Sequence, residues 1–277
     1  MARRELVQIK TAAEIAKMRA AGLVVGRTLE KLRAAVEPGI TTADLDDIAE
    51  RAIRGEGAVP SFKGYQGFPR TICTSVNSEV VHGIPRRKKV LHEGDVISID
   101  CGAILDGWHG DSAITVGVGE ISSELTELIK VCEDSLWAGL AAARLDGKLT
   151  DISAAVEGAI RPHAYGIVDH YGGHGIGTEM HQDPHVLNYG RPGRGMRLVE
   201  GVALAIEPMI TVGSPDTFVL DDDWTVVTTD GSWAAHTEHS VAITPAGPWV
   251  LTALDGGVER FSAMGVACGQ PAQAPVA

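Results

Sequence analysis

Apolar residues in the first part of the chain alternate at spacings of three and four: Ile15, Met18, Gly22, Val25, Leu29, Leu32 and Val36. That is one continuous stripe on a long helix. A capping box at Thr11-Ala-Ala-Glu14 opens it and Pro38-Gly39 stops it. A shorter helix is predicted from Thr42 to about Gly55. Residues 57–69, punctuated by glycine and proline, lead into a β run from Thr71 to Val81, which ends at His82-Gly83-Ile84-Pro85. Two further β runs, Val96–Asp100 and Asp111–Val116, are separated by ten turn-rich residues. They read as an antiparallel hairpin with Asp100 and Asp111 near one end of neighbouring strands.

After Gly119 the pattern restarts. Ser122 or Ser123 caps a helix with Leu125, Ile129, Cys132, Leu136 and Leu140 on one side, and another helix follows from Thr150 to Ile160. Then come His174-Gly175-Ile176-Gly177, an apolar run from Val202 to Glu207, and strands from Trp224 to Thr228 and from Thr237 to Thr244. From Gly265 the residues are small and include proline, which predicts a mobile tail over 265–277.

Laid side by side, the two stretches read as a diverged duplication. His82-Gly83-Ile84 answers His174-Gly175-Ile176, and Leu91-His92-Glu93-Gly94 answers Leu198-Val199-Glu200-Gly201. In that register Asp100 falls on Glu207. Asp111 before Ser-Ala-Ile-Thr answers Glu238 before His-Ser-Val-Ala-Ile-Thr. Apolar strands match easily by chance, but the coincidence of acid and His-Gly-Ile positions favours duplication. A pseudo-twofold axis would bring the two pairs of carboxylates face to face.

Length bounds the architecture: 277 residues, 44% hydrophobic with 33 glycines, make a large single domain or two small ones, rich in tight turns. The net charge of −12 argues against binding DNA or RNA by bulk electrostatics. No apolar run approaches a membrane span, and Met-Ala-Arg-Arg-Glu is not read as a signal peptide. Cys73, Cys101, Cys132 and Cys268 form no Cys-x-x-Cys pair, as expected of reduced thiols in a cytoplasmic protein. Arg86-Arg87-Lys88-Lys89 is the single basic run. It reads first as a solvated turn, with transient contact to the ribosome as the alternative.

The chemistry follows from the acids. Buried carboxylates repel one another and lose hydration unless something positive lies between them. Each strand-end acid taken alone is more often a surface or capping residue. Together, Asp100, Asp111, Glu207 and Glu238 with His174 make a set of mostly hard oxygen donors. Four carboxylates exceed what one divalent ion needs, so two ions bridged by carboxylates fit better. The lack of thiolate donors argues against a structural zinc site.

These residues carry a family resemblance. His82-Gly83-Ile84-Pro85, Asp100, Asp106-Gly107-Trp108-His109-Gly110-Asp111, Gly173-His174-Gly175-Ile176-Gly177, His181…Pro184, Glu207-Pro208 and Glu238-His239 resemble the motifs of type I methionine aminopeptidases, metallopeptidase family M24. The likeness runs from about Ile15 to Leu251. It implies an α+β pita-bread fold: pseudo-twofold duplicated halves forming a curved antiparallel sheet backed by two pairs of helices. The implied organisation is an N-terminal extension over 1–10 and one catalytic domain over 11–264, with halves about 11–119 and 120–251.

The resemblance also implies roles. Asp100, Asp111, His174, Glu207 and Glu238 would ligate two divalent ions (cobalt, manganese, iron or zinc), with Asp111 and Glu238 bridging. A metal-bridging water or hydroxide would attack the first peptide bond, with Glu207 as general base. His181 would stabilise the oxyanion and His82 would hydrogen-bond the substrate near the peptide nitrogen. Tyr65, Phe68, Cys73, Met180 and Trp224 would surround a methionine side chain. The substrates implied are nascent polypeptide N-termini with a small second residue, handled by a monomer. Phe62, Thr178 and Met180 depart from the residues common in bacterial relatives. His109, His163, His170, His185, His236 and His239 are most simply packing or surface residues. A proline peptidase and a catalytically inactive binding protein on the same fold are the competing readings.

Overall fold

The computed structural model of the chain describes residues 7–269. The first half holds helices α1 (Ala12–Ala35) and α2 (Thr42–Gly55) and strands β1 (Val59–Pro60), β2 (Ile72–Val76), β3 (Glu79–Val81), β4 (Val96–Leu105) and β5 (Trp108–Gly117). Both helices open with full capping boxes, Thr11 with Glu14 and Thr41 with Asp44, which satisfy amide groups that would otherwise have no intrahelical partner. The second half begins with α3 (Ser123–Ala142), capped by Ser122, and α4 (Leu149–Ile160). Its strands are β6 (Gly166–Ile167), β7 (Gly173–Gly175), β8 (Gln182–Val186), β9 (Ala203–Ile206), β10 (Met209–Thr211), β11 (Thr217–Val219), β12 (Val226–Thr228), β13 (Ala234–His236), β14 (Glu238–Thr244) and β15 (Gly247–Val250). A short helix, α5 (Val258–Ala263), follows.

Nine strands form one antiparallel sheet in the order β1-β4-β5-β14-β9-β7-β8, with β2 beside β4 and β15 beside β14. The helices lie in two pairs. α1 and α2 bury Val25, Leu29, Leu32, Leu45 and Ile53 against Ile97, Ile99 and Cys101. α3 and α4 bury Leu128, Leu136, Leu140, Ile152 and Val156 against Leu204, Ile206 and Val241. Each half therefore has its own apolar core, and the halves meet where β5 pairs with β14, where β3 pairs with β12, and where Met18 and Trp108 pack with Ile176 and Trp249. Equivalent bridges ahead of the matching Leu-x-Glu-Gly segments, Thr41 to Val90 and Lys148 to Arg197, repeat the same local device in each half.

Three expectations change. The β run over 71–81 is two strands, broken at Asn77, whose backbone turns into the left-handed region while its side chain accepts from Val96 N–H and donates to Asp95. The central hairpin has no ten-residue connection: β4 and β5 pair without interruption from Val96↔Gly117 to Leu105↔Trp108, so only Asp106-Gly107 makes the turn. Asp100 and Asp111 thus sit mid-strand rather than at an end. On α3 the fully buried residues include Leu128 and Val131, while Ile129 is half-buried. Of the expected tail, Val266 packs on the second core and Gly269 N–H donates to Pro248 C=O. Its remainder lies outside the described residues.

Candidate metal centre

Strand register brings the acids together. Asp100 pairs with Ala113 across β4 and β5, and Ala113 pairs with Glu238 across β5 and β14. Two positions along β5 on the same face stands Asp111. His174 pairs with Ala205 on β9, and Glu207 follows two residues later on that face. Side chains alternate along a strand, so all five project from one side of the sheet, opposite Ser112 and His239, which bond to each other at 3.1 Å. One ligand atom from each of Asp111, His174 and Glu238 lies within 4.8 Å of the others. His174 Nε2 is 3.5 Å from Glu207 Oε1 and 3.8 Å from Asp111 Oδ2.

His174 stands between two glycines for a steric reason. A Cβ on Gly173 would lie 2.1 Å from the Ala205 carbonyl oxygen, and one on Gly175 would lie 2.1 Å from that of Asp183. The imidazole Nδ1 is 2.9 Å from the Gly175 carbonyl oxygen, which can only accept, so Nδ1 carries the proton. The Nε2 lone pair therefore faces carboxylate oxygens.

That arrangement is repulsive unless a cation lies in it. Asp100 Oδ1, Asp111 Oδ1 and Glu238 Oε1 are sealed from solvent with no hydrogen-bond partner. Burial pushes Asp100 up to about 7, and burial together with the neighbouring carboxylates raises Asp111, Glu207 and Glu238 well above the usual range. Burial holds His174 down to about 3, keeping it neutral, as a metal-ligating imidazole must be. Unpartnered oxygens and a preset nitrogen lone pair fit divalent cations with mainly oxygen coordination.

A cavity of about 160 Å³ joins these groups to Tyr65, Phe68, Cys73, His82, Met180, His181 and Trp224. Phe68, Cys73 and Met180 are buried, and Phe68 meets Trp224 edge-on at 5.1 Å. Tyr65 Oη lies 2.8 Å from His181 Nδ1. His82 takes a left-handed backbone with φ of 60°, and burial lowers its imidazole to about 4. A second, open cavity of about 550 Å³ shares His82, His174, His181 and Glu207 and extends to His170, Tyr171 and His185.

A profile of metallopeptidase family M24 matches residues 16–245. The chain belongs to that family. It is 55% identical to the methionine aminopeptidase of Clostridium acetobutylicum over 89% of this chain and 99% of the relative. It is 52% identical to methionine aminopeptidase 1 of Mycobacterium tuberculosis over 90% and 96%. The crystal structure of the methionine aminopeptidase of Thermotoga maritima, 40% identical, superposes with a TM-score of 0.88 over 90% of this chain and all of that one. The M24 chain thus has the pita-bread fold and is a metallopeptidase.

All the residues given a catalytic, cation-binding or substrate-binding role from the sequence line one cavity, together with Phe62, Gln66 and Val81. Thr178 faces away from it, bonded through Oγ1 and N–H to Gln8 of the segment before α1. Three histidines set aside as packing or surface residues prove to be buried or half-buried and engaged. His109 Nδ1 meets Ser61 Oγ at 3.0 Å, His239 bonds Ser112 and Thr252, and His236 places Nε2 3.7 Å from Glu207 Oε2. Only His236 is aimed at the acid cluster. The sequence offered no signal for it beyond its place two residues before Glu238.

Proposed function

We propose that this protein removes the initiator methionine from nascent polypeptides whose second residue is small. The observation that carries the reading is the shared cavity: a carboxylate-rich cation site opens directly onto Phe68, Cys73, Met180 and Trp224. Asp100, Asp111, His174, Glu207 and Glu238 would hold two divalent ions, with Asp111 and Glu238 shared between them. The donor set suits cobalt, manganese, iron or zinc. When bound, the ions supply Lewis acidity for the scissile carbonyl and bring a water to nucleophilic strength at neutral pH.

The chain's own groups do the rest. Glu207, buried at the wall of the cavity, would accept the proton of the attacking water. Tyr65 Oη lies 2.8 Å from His181 Nδ1, and a phenol donating there would leave the imidazole proton on Nε2, free to donate to oxygen charge developing on the carbonyl. Burial keeps both His82 and His181 neutral, so each presents a donor without bringing a like charge to the cations. His82 would meet the substrate near its peptide nitrogen. Phe68, Cys73, Met180 and Trp224 enclose the thioether, where sulfur–aromatic contacts are favourable. At about 160 Å³, cation site included, the cavity has no room for more than one side chain, and the open cavity beside it gives the remaining polypeptide a way out.

The site is complete within one chain, in keeping with a monomer whose catalytic domain spans 11–264. No helix among the described residues is long and apolar enough to cross a membrane, and a cytoplasmic location fits nascent chains as substrate. The basic loop is mostly neutralised: Arg86 pairs with Asp222, Arg87 with Asp44 and Asp47, and Lys89 with Glu79. That pairing favours a structural turn over a ribosome contact. Metal-dependent release of methionine from Met-Ala peptides, with no cleavage of Xaa-Pro peptides, is the expected result. Cleavage of Xaa-Pro alone would favour a proline peptidase, and no turnover with any of the four metals would sink the enzymatic reading.

A further inference from the structure

We infer that His236 is a positioning residue for Glu207, directing an Nε2–H at the carboxylate oxygen that faces away from His174. The inference rests on the part given above to Glu207. His236 ends β13, and its backbone is pinned on both sides. Its N–H is shared by Ser98 Oγ at 3.2 Å and Thr115 Oγ1 at 3.0 Å, and its carbonyl accepts from Thr115 Oγ1 at 2.6 Å. The ring is 1% exposed, and Nε2 is sealed from solvent with no hydrogen-bond partner. That nitrogen lies 3.7 Å from Glu207 Oε2, whereas Glu207 Oε1 lies 3.5 Å from His174 Nε2. Asn188 Nδ2 holds the Glu207 backbone carbonyl at 3.0 Å. The carboxylate is thus flanked by one imidazole at each oxygen, with its main chain tied from behind.

The two rings do different work. His174 presents a lone pair, because its proton is committed to the Gly175 carbonyl. A lone pair on His236 Nε2 would repel Oε2, so the neighbouring anion selects the tautomer with the proton on Nε2. The separation is beyond a hydrogen bond, and a modest turn of the carboxylate closes it, as catalytic contacts tighten once a site is loaded. His236 lines neither cavity and cannot touch substrate. It acts through Glu207, fixing the plane of a carboxylate that must serve both as cation donor and as proton acceptor. A freely turning carboxylate would do neither well.

Two measurements test this. The ¹⁵N spectrum of imidazole-labelled wild-type protein, with the His236 signals assigned by their loss in His236→Gln, should show Nε2 protonated and Nδ1 bare. The opposite tautomer would overturn the inference. Cobalt(II) affinity by chelator competition and steady-state kinetics on a Met-Ala peptide should fall together in His236→Met. About 10–100-fold in kcat and about 10-fold in affinity are expected, with KM within about twofold. His236→Gln, whose amide N–H can reach the same oxygen, should recover most of both. Wild-type values in His236→Met, or no recovery in His236→Gln, would equally overturn it. Should His236→Met not fold, the spectrum and the glutamine variant decide. If the wild type cleaves no methionyl peptide, the functional reading fails, while the tautomer and the cobalt affinities still judge His236.

Discussion

The phenol oxygen of Tyr65 lies 2.8 Å from Nδ1 of His181, at the mouth of the closed cavity. With the phenol as donor, as the proposed role of His181 requires, the imidazole proton is held on Nε2. In Tyr65→Phe both tautomers become available, and only one can donate to the carbonyl. We expect kcat on a Met-Ala peptide to fall about tenfold, within the range for loss of an orienting partner. KM should change little, since the ring still packs in place. An unchanged kcat would show that His181 needs no such support.

Asp111 gives a prediction with two opposite signs. Its carboxyl is destabilised by burial and by Glu238 and Asp100, so Asp111→Asn should raise the melting temperature of the chelator-treated protein. On the proposed reading the same change removes a cation donor. Wild type should gain about 2.7 kcal/mol when a divalent ion is present at 100 times its Kd, and the variant should gain far less. Calorimetry with and without cobalt(II) reads both effects, and parallel behaviour of the two proteins would refute the assignment.

Gly175 tests the steric reason for the Gly-His-Gly motif. A methyl group there would lie 2.1 Å from the Asp183 carbonyl oxygen, and the backbone would have to move. Overpacking of this kind costs about 1–3 kcal/mol. Gly175→Ala should lose that much in urea unfolding and also weaken cobalt(II) binding, because the carbonyl that orients His174 belongs to the same residue. Lost stability with intact metal affinity would separate the two roles.

Lys10 provides the pH dependence. It is 4% exposed, and burial lowers its pKa from 10.5 to about 8 despite the nearby Glu14. Between about pH 8 and 10.5 the unfolded chain binds a proton that the folded chain does not, so stability rises with pH across that window. Below pH 8 the folded protein carries a charge it disfavours. Lys10→Met should flatten the rise, and denaturant midpoints from pH 7 to 10.5 check it.

How much of this was legible beforehand depended on how local each signal was. α1 and α2 were, because capping boxes and spacings of three and four need no tertiary context. So were the five acid and histidine positions, once the halves were aligned. The length of the central hairpin was not. Gly102 looks like a turn residue, yet it lies mid-strand, where a Cβ would come 2.7 Å from the Phe62 ring packed over β4. A glycine demanded by a neighbour about forty places away in the chain is indistinguishable, in sequence, from one demanded by its own backbone. His236 failed for a similar reason. Its ring is interior and faces Glu207 only because Met209 on β10 pairs with it across β13, and no spacing rule encodes that.

Within the nine-stranded sheet, the ladder that joins the halves has two rungs, Glu238 with Ala113 and His239 with Ser112. The acids meet beside that seam, drawn from both sides of it. Cations seated there would act as a rivet across that seam, so their removal should be felt as slack along it. Chelated protein should then show faster amide exchange along Ser112–Ala113 and Glu238–His239 than in either apolar core, with protection returning when cobalt(II) is restored.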